Sequence, residues 1–318
     1  MEIVSLNKNT YKSIFKTFTN VFCSIDFADL NAHFFEEIRY LAFVENGKYK
    51  AGLILGKKDS TLYAPTKAPF SGFNKINDTS LESLDKILPL LQDYAKEQTL
   101  DISITLPPII YDNDFYNHCI SAFFRSEFQA KNVDLNFHLD VKKLQKDYKN
   151  LIPRAGRKNL NNGLKSPKIE LLSSNDKDFI EKVYSIIKTN RDFKGYPLRM
   201  TLEQILNTIE IIKADFFILK VDNEAVAAAQ VFHVAEGVVQ VIYWGDLPHF
   251  ETLRPMNVLA YKILKYYADF GINVIDIGPS SENSIPSYGL CNFKSNIGCD
   301  TSLKYQFILR SNYPSKEK

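Results

Sequence analysis

Apolar and polar positions recur in the same order twice along the chain. Residues 38–44 form an apolar run that predicts a buried strand, Glu45-Asn46-Gly47-Lys48 reads as a tight turn, 49–56 predicts a second strand and 60–64 a third. Asn-Gly between apolar runs is a strong hairpin signal, because both residues tolerate the left-handed backbone that a two-residue turn needs. From about Leu81 to Lys96 the positions Leu84, Ile87, Leu88, Leu91 and Tyr94 fall at helical spacing. A strand at 101–106 follows, closed by Pro107-Pro108. The order then repeats: strand 216–221, turn Asp222-Asn223-Glu224, strand 225–234, turn Ala235-Glu236-Gly237, strand 238–244, a helix from Pro255 to Phe270, and strand 272–277 closed by Gly278-Pro279. Hairpin and strand end are displaced by a nearly constant offset, which predicts two copies of one unit: an antiparallel meander, a helix and a further strand. The chance recurrence of such a pattern in an α+β protein is the alternative. The expected fold class is therefore α/β (α+β), with domains at 1–160 and 161–318. The Asn161-Asn162-Gly163 stretch and Lys165-Ser166-Pro167 supply the break.

Composition changes this picture little. With 318 residues, 45% hydrophobic and 24% charged, the chain has ordinary globular values and room for two cores. A net charge of +2 leaves attraction to a polyanion to local clustering. One cluster stands out between Lys142 and Lys168, where nine basic residues (Lys142, Lys143, Lys146, Lys149, Arg154, Arg157, Lys158, Lys165, Lys168) meet one acidic residue, Asp147. It reads either as a solvated amphipathic helix and linker or as the electrostatic footprint of a polyanion such as tRNA or a nucleotide-linked substrate. Stacking aromatics are nearly absent there, which argues against sequence-specific nucleic-acid recognition. No apolar run approaches the ~20 residues of a membrane span, the start shows no signal-peptide pattern, and four cysteines make no disulfide scaffold, so a cytoplasmic protein is expected. Cys291 and Cys299 lie eight apart with only His249 near them in sequence, so no metal site is expected.

Candidate chemistry gathers in the last third. An apolar strand ends Asp276-Ile277-Gly278-Pro279 and runs through a polar loop into Tyr288-Gly289-Leu290-Cys291-Asn292-Phe293-Lys294-Ser295-Asn296-Ile297-Gly298. Ligands of open α/β sheets sit beyond strand ends, and this end carries a lone lysine. Asp276, inside an apolar strand, needs partners and reads as tying down the loop or as catalytic. Arg254 precedes Pro255 at a helix start, where a cation is unfavourable unless an anion binds; it either pairs with Asp246 or Glu251 or makes a phosphate or carboxylate site.

The unit resembles the GCN5-related N-acetyltransferase fold, and two in tandem resemble the Fem family of peptidoglycan aminoacyltransferases, FemAB and FemX. The resemblance rests on Tyr243-Trp244-Gly245, the helix from Pro255, Asp276-Ile277-Gly278, and above all Gly289-Leu290 with Phe293-Lys294 and Ile297-Gly298. Phe70-Ser71-Gly72 resembles the family's glycine-containing loop, and Arg157-Lys158-Asn159-Leu160 with Gly163-Leu164 its basic junction segment. The resemblance implies tandem acyltransferase-like domains and direct transfer of an acyl or aminoacyl group, from acyl-CoA or aminoacyl-tRNA, to a small-molecule amine such as a cell-wall or nucleotide-linked precursor. The donor would then lie against the second copy at Arg254, Asn257, Phe293 and Asp276, with Phe70, Ser71, Gly72 and Arg157 shaping the acceptor cleft between the copies. Lys294 would stabilise the carbonyl oxyanion, Tyr243 or Tyr288 would protonate the leaving group, and Glu282 would accept a proton from the amine. One departure stands out. Coenzyme A users carry a glycine-rich pyrophosphate loop, whereas this chain reads Glu251-Thr252-Leu253-Arg254-Pro255-Met256-Asn257 there. A non-catalytic small-molecule or carbohydrate binding module that kept the fold and lost the donor site is the competing reading.

Overall fold

A computed structural model describes residues 1–76 and 79–311, which form two compact units: residues 1–135 with the strand that returns after Thr301, and residues 136–301. The first unit begins with β1 (Glu2–Leu6), α1 (Lys8–Ile14) and α2 (Ile25–Leu30). The predicted meander follows as β2 (Glu37–Glu45), β3 (Lys48–Lys58) and β4 (Thr61–Ala64), with the short β5 (Asn74–Lys75) against β3. Next come α3 (Leu81–Gln98), β6 (Asp101–Thr105) and α4 (Asn113–Arg125). α3 starts where the Ser80 hydroxyl accepts the Ser83 N–H, and it buries Leu84, Ile87, Leu88 and Leu91, the stripe its periodicity predicts.

Through β7 (Gln129–Asp140) the chain enters the second unit. There α5 (Val141–Leu151), α6 (Arg154–Gly163), β8 (Ile169–Ser173), α7 (Lys177–Lys194) and α8 (Leu202–Ile209) precede the second meander. That meander is β9 (Ala214–Val221), β10 (Glu224–Ala235) and β11 (Val238–Asp246). It leads into α9 (Pro255–Asp269), β12 (Val274–Pro279), a hairpin of β13 (Ser281–Glu282) and β14 (Ile285–Pro286), and α10 (Tyr288–Asn296). β15 (Asp300–Leu309) returns to the first unit and pairs antiparallel with β6.

Each unit thus repeats the same core: an antiparallel meander, a helix, and a strand parallel to the meander's last member. β4 and β6 form the parallel pair in the first unit, β11 and β12 in the second. Residues 136–160, which the sequence reading groups with the first half, pack into the second unit, because Leu139, Val141, Leu144, Tyr148, Ile152 and Leu160 all join its core.

In the second unit, alternation along the strands separates two faces. Ala227, Ala229, Val231, Val239, Val241, Ile275 and Ile277 pack with Val258, Leu259, Ile263 and Tyr267 of α9. The opposite face carries Gln230, Gln240 and Asp276, and α7 covers part of it. The stretch 288–298 has no clear amphipathic period, and no element is predicted there, yet most of it forms α10.

α6 is fitted tightly between its neighbours. A Cβ at Gly156 would fall 1.7 Å from the Asn296 carbonyl oxygen of α10, and one at Gly163 would fall 2.8 Å from the Leu253 carbonyl oxygen and 2.5 Å from Val258. Backbone oxygens cannot rotate away as side chains do. Gly156→Ala should therefore lower stability by about 3 kcal/mol in urea unfolding, and a loss below about 0.5 kcal/mol would show that the α6–α10 contact is not tight.

Candidate active site at a strand fork

β11 and β12 pair in parallel over only three registers, Val238 with Val274, Val239 with Ile275 and Gln240 with Asp276. Both strands then continue, β11 to Asp246 along β10 and β12 to Pro279 along β7. The sheet forks at that point, aided by bulges in each arm's outer pairing, between Gln230 and Val231 and between Asp276 and Gly278. In the first unit β4 ends where its pairing with β6 ends, so no arm extends beyond it.

Asp276 sits at the apex, 0% exposed. Its Oδ1 accepts from Asn136 Nδ2 and the Gly278 N–H, each at 2.8 Å, and its Oδ2 accepts from Gln240 Nε2 at 2.9 Å. One carboxylate thereby ties β7, β11 and β12 together. Gly278 adopts φ +76°, which lets its N–H turn back onto Asp276.

α10 holds both arms. Phe293 packs edge-on against Trp244 of the β11 arm, ring centres 5.9 Å apart. Lys294, 4% exposed, donates to the carbonyls of Ile277 (3.1 Å), Gly278 (2.8 Å) and Pro279 (2.9 Å) on the β12 arm. Its ammonium also lies 5.5 Å from the centre of the Phe137 ring.

Tyr243 lies on the β11 arm with its ring 5.7 Å from the Arg191 guanidinium carbon. Burial raises the pKa of its phenol, against the backbone hydrogen bonds from Met200 and Arg199 and the Arg191 and Arg199 charges, which lower it. With its oxygen accepting those backbone N–H groups, the phenol stays protonated at neutral pH and keeps its own proton to give.

The remaining residues singled out from sequence are dispersed. Glu282, exposed on the hairpin, pairs with Arg199 at 2.9 Å. Tyr288 opens α10 and is 76% exposed. Arg254 is exposed in the left-handed region (φ 50°) at the start of α9, and Asn257 is buried in the first turn. Neither acid weighed as a partner for Arg254 pairs with it: Asp246 accepts from Asn190 and Lys194, and Glu251 from the His249 N–H. Arg157, on α6, donates to Asn150 at 3.3 Å. In the first unit, Phe70, Ser71 and Gly72 are all buried. Phe70 packs against Phe22 and Tyr111, the Ser71 N–H donates to the Thr105 carbonyl, and the Gly72 carbonyl accepts from the Cys23 thiol. The fork is built without them, from the second unit alone.

Asn136, Gln240 and Arg191 escaped the sequence reading. Gln240 carried a usable signal, a polar side chain inside the apolar run 238–244, the same mark that singled out Asp276. Arg191 carried none, since a cation in the last turn of a helix ordinarily complements the helix dipole.

Each unit carries the same meander–helix–strand core, and over the whole chain the fold is one shared with solved structures. No family model matches the chain, and no curated protein sequence matches it. Among solved structures it is similar to FemX at 15% identity and TM-score 0.69, covering 97% of each chain. It is similar to a conserved protein of unknown function from Bacteroides thetaiotaomicron at 13% identity and TM-score 0.62, covering 96% of this chain and 99% of that one. It is also similar to L-PGS from Bacillus licheniformis at 12% identity and TM-score 0.58, covering 98% and 94%. At these identities the likeness is one of fold.

His138, registered opposite Asp276 on β7, tests the burial of this apex. Desolvation lowers its pKa, more than Asp276, Asp300 and Asp140 raise it. The folded imidazole therefore binds its proton less readily than the unfolded one. Stability from this residue is complete above the unfolded value near 6.5 and falls as pH drops through it toward the lower folded value. NMR titration should place His138 below the ordinary histidine range, and His138→Gln should flatten stability against pH below about 6.5. An unshifted titration would contradict a desolvated apex.

Proposed function

We propose that this protein is an aminoacyltransferase that moves an aminoacyl group from aminoacyl-tRNA onto an amine, with the reaction at the fork of the second unit. The observation that supports this most is the parting of β11 and β12 beyond Gln240 and Asp276, which leaves the β11 edge that faces the fork without a ladder partner, beside a protonated, half-buried tyrosine. In the proposed reaction the acceptor nitrogen attacks the ester carbonyl carbon and the C=O electron pair moves onto oxygen. Backbone N–H groups of the β11 arm, in the positive field of the fixed Lys294 ammonium, stabilise that oxyanion, because on the β12 arm the Gly278 N–H is committed to Asp276 and Pro279 has none. As the tetrahedral species collapses, the C–O bond to the ribose breaks, Tyr243 donates its proton to the leaving oxygen, and the amine loses one to Glu282, which sits on the hairpin paired with Arg199. Tyr288, exposed beside this hairpin, would contact the donor.

Two further observations favour aminoacyl-tRNA over acyl-CoA. The start of α9 has no glycine, and α6 presses on it through Gly163, within 2.8 Å of the Leu253 carbonyl for an added Cβ, where a pyrophosphate would have to approach backbone N–H groups. The basic segment also presents exposed Lys142, Lys146, Lys149, Arg154, Lys158, Lys165 and Lys168 along α5, α6 and the following loop, a pattern suited to phosphate contacts that weaken steeply with salt. FemX and L-PGS share this fold.

Transfer of label from tRNA charged with radioactive amino acids to a panel of small amines tests the reading. Turnover is expected with aminoacyl-tRNA and not with acyl-CoA. Tyr243→Phe should cut kcat about a hundredfold with a small change in KM. Absence of transfer from every donor with folded protein would leave the binding-module reading in its place, and turnover from acyl-CoA alone would overturn the donor assignment.

A further inference from the structure

We infer that Arg191 forms a subsite for a single negative charge, a carboxylate on the acceptor, next to the fork. This deepens the transferase reading but is testable without it. Arg191 lies near the end of α7, where Gly195 closes the helix with φ +67° and the Tyr196 N–H returns to the Arg191 carbonyl at 2.9 Å. That turn brings Tyr196 back over its own helix. The guanidinium carbon consequently stands 6.0 Å from the Tyr196 ring centre and 5.7 Å from that of Tyr243. Two aromatic faces fix the plane of the guanidinium while leaving its hydrogen-bonding edge unanswered.

No acid pairs with Arg191 among the described residues, and its Nε is buried with no hydrogen-bond partner. Gln230, the register partner of Tyr243 on β10, also has a buried Nε2 without a partner. Two unanswered donors therefore border the same tyrosine. Buried donors of this kind are rare in folded proteins, where more than nine in ten are satisfied, roughly. Burial lowers the Arg191 pKa, with the aromatic neighbours opposing, so the charge is being held where water solvates it poorly.

The charge balance limits what can bind. The cations nearest in sequence are already committed, Lys188 to Asp192, Lys194 to Asp246 and Arg199 to Glu282. Arg191 alone is left, so a monoanion balances it and a phosphate dianion would stay half compensated. A planar carboxylate also matches the two-pronged guanidinium edge. The acceptor is accordingly an amine that carries a carboxylate, with that carboxylate against Arg191 and the nitrogen directed to the fork.

The experiment has a binding arm and a turnover arm. In the first, the Arg191 Nε–H NMR resonance, assigned by its loss in Arg191→Lys, is followed while N-acetylglycine or inorganic phosphate is added. A saturable shift with N-acetylglycine, weakened about tenfold or more in Arg191→Gln by its effect on the remaining amide signals, is expected. An unmoved resonance, or tighter binding of phosphate than of the carboxylate, would overturn the proposal whether or not the protein is a transferase. In the second, acceptor amines are compared with their carboxamide counterparts. Wild type should favour the carboxylate about tenfold in KM, Arg191→Gln should lose that preference between the two acceptors, and Arg191→Lys should keep part of it. Equal KM values for the pair in wild type would overturn it. Matching circular dichroism of both variants with wild type separates lost binding from lost folding.

Discussion

A parallel strand pair that parts leaves two rows of backbone groups without ladder partners, and the parting lasts only if something else answers them. Here Lys294 of α10 answers three successive carbonyls of one arm, while the adjacent Phe293 packs against Trp244 of the other and holds it apart. Hydrogen bonds to a charged group contribute about 1.5–3 kcal/mol each, and burying an ammonium costs several. The two terms nearly offset. What the pair secures is therefore geometry more than stability, with the β12 arm held in place beside the fork.

The same arrangement explains the demands on the surrounding residues. α10 must be seated firmly for its side chains to act as a strut, and its end abuts α6 at Gly156, where no side chain fits. Tyr148 of α5 donates to the Ile297 carbonyl at 2.8 Å just beyond that end. At the apex, Asp276 draws on an amide from each neighbouring strand, so the strands cannot slide past one another without leaving a buried carboxylate short of partners. Packing beneath is conventional and apolar; the polar groups are concentrated on the face turned away from α9.

Much of the fold was legible because its punctuation is local. The hairpin turns at 45–47 and 222–224, the stripe of α3 and the proline opening α9 each act within a few residues, and the meander–helix–strand unit follows from them. The fork was not legible, since it depends on where a parallel pairing stops, and pairing is non-local. Asp276 and Lys294 were visible as charges in unusual company. Their partners were not: carbonyls carry no sequence signature, and Asn136 lies 140 positions from Asp276. Phe70 and Ser71 show the converse, a motif whose side chains are consumed by the first unit's own core.

The two copies have diverged in the feature that matters. β4 stops with its parallel pairing, while β11 runs on, so among the described residues the fork belongs to the second unit. The most direct test is amide chemical-shift mapping with a hydrolysis-resistant 3′-aminoacylamido adenosine as a donor mimic. Shifts are predicted at Ile242–Gly245 and Gly278–Ser280, the two arms of the fork. Saturable binding with shifts confined to the start of α9, or to the first unit, would contradict the claim that the fork holds the acyl group.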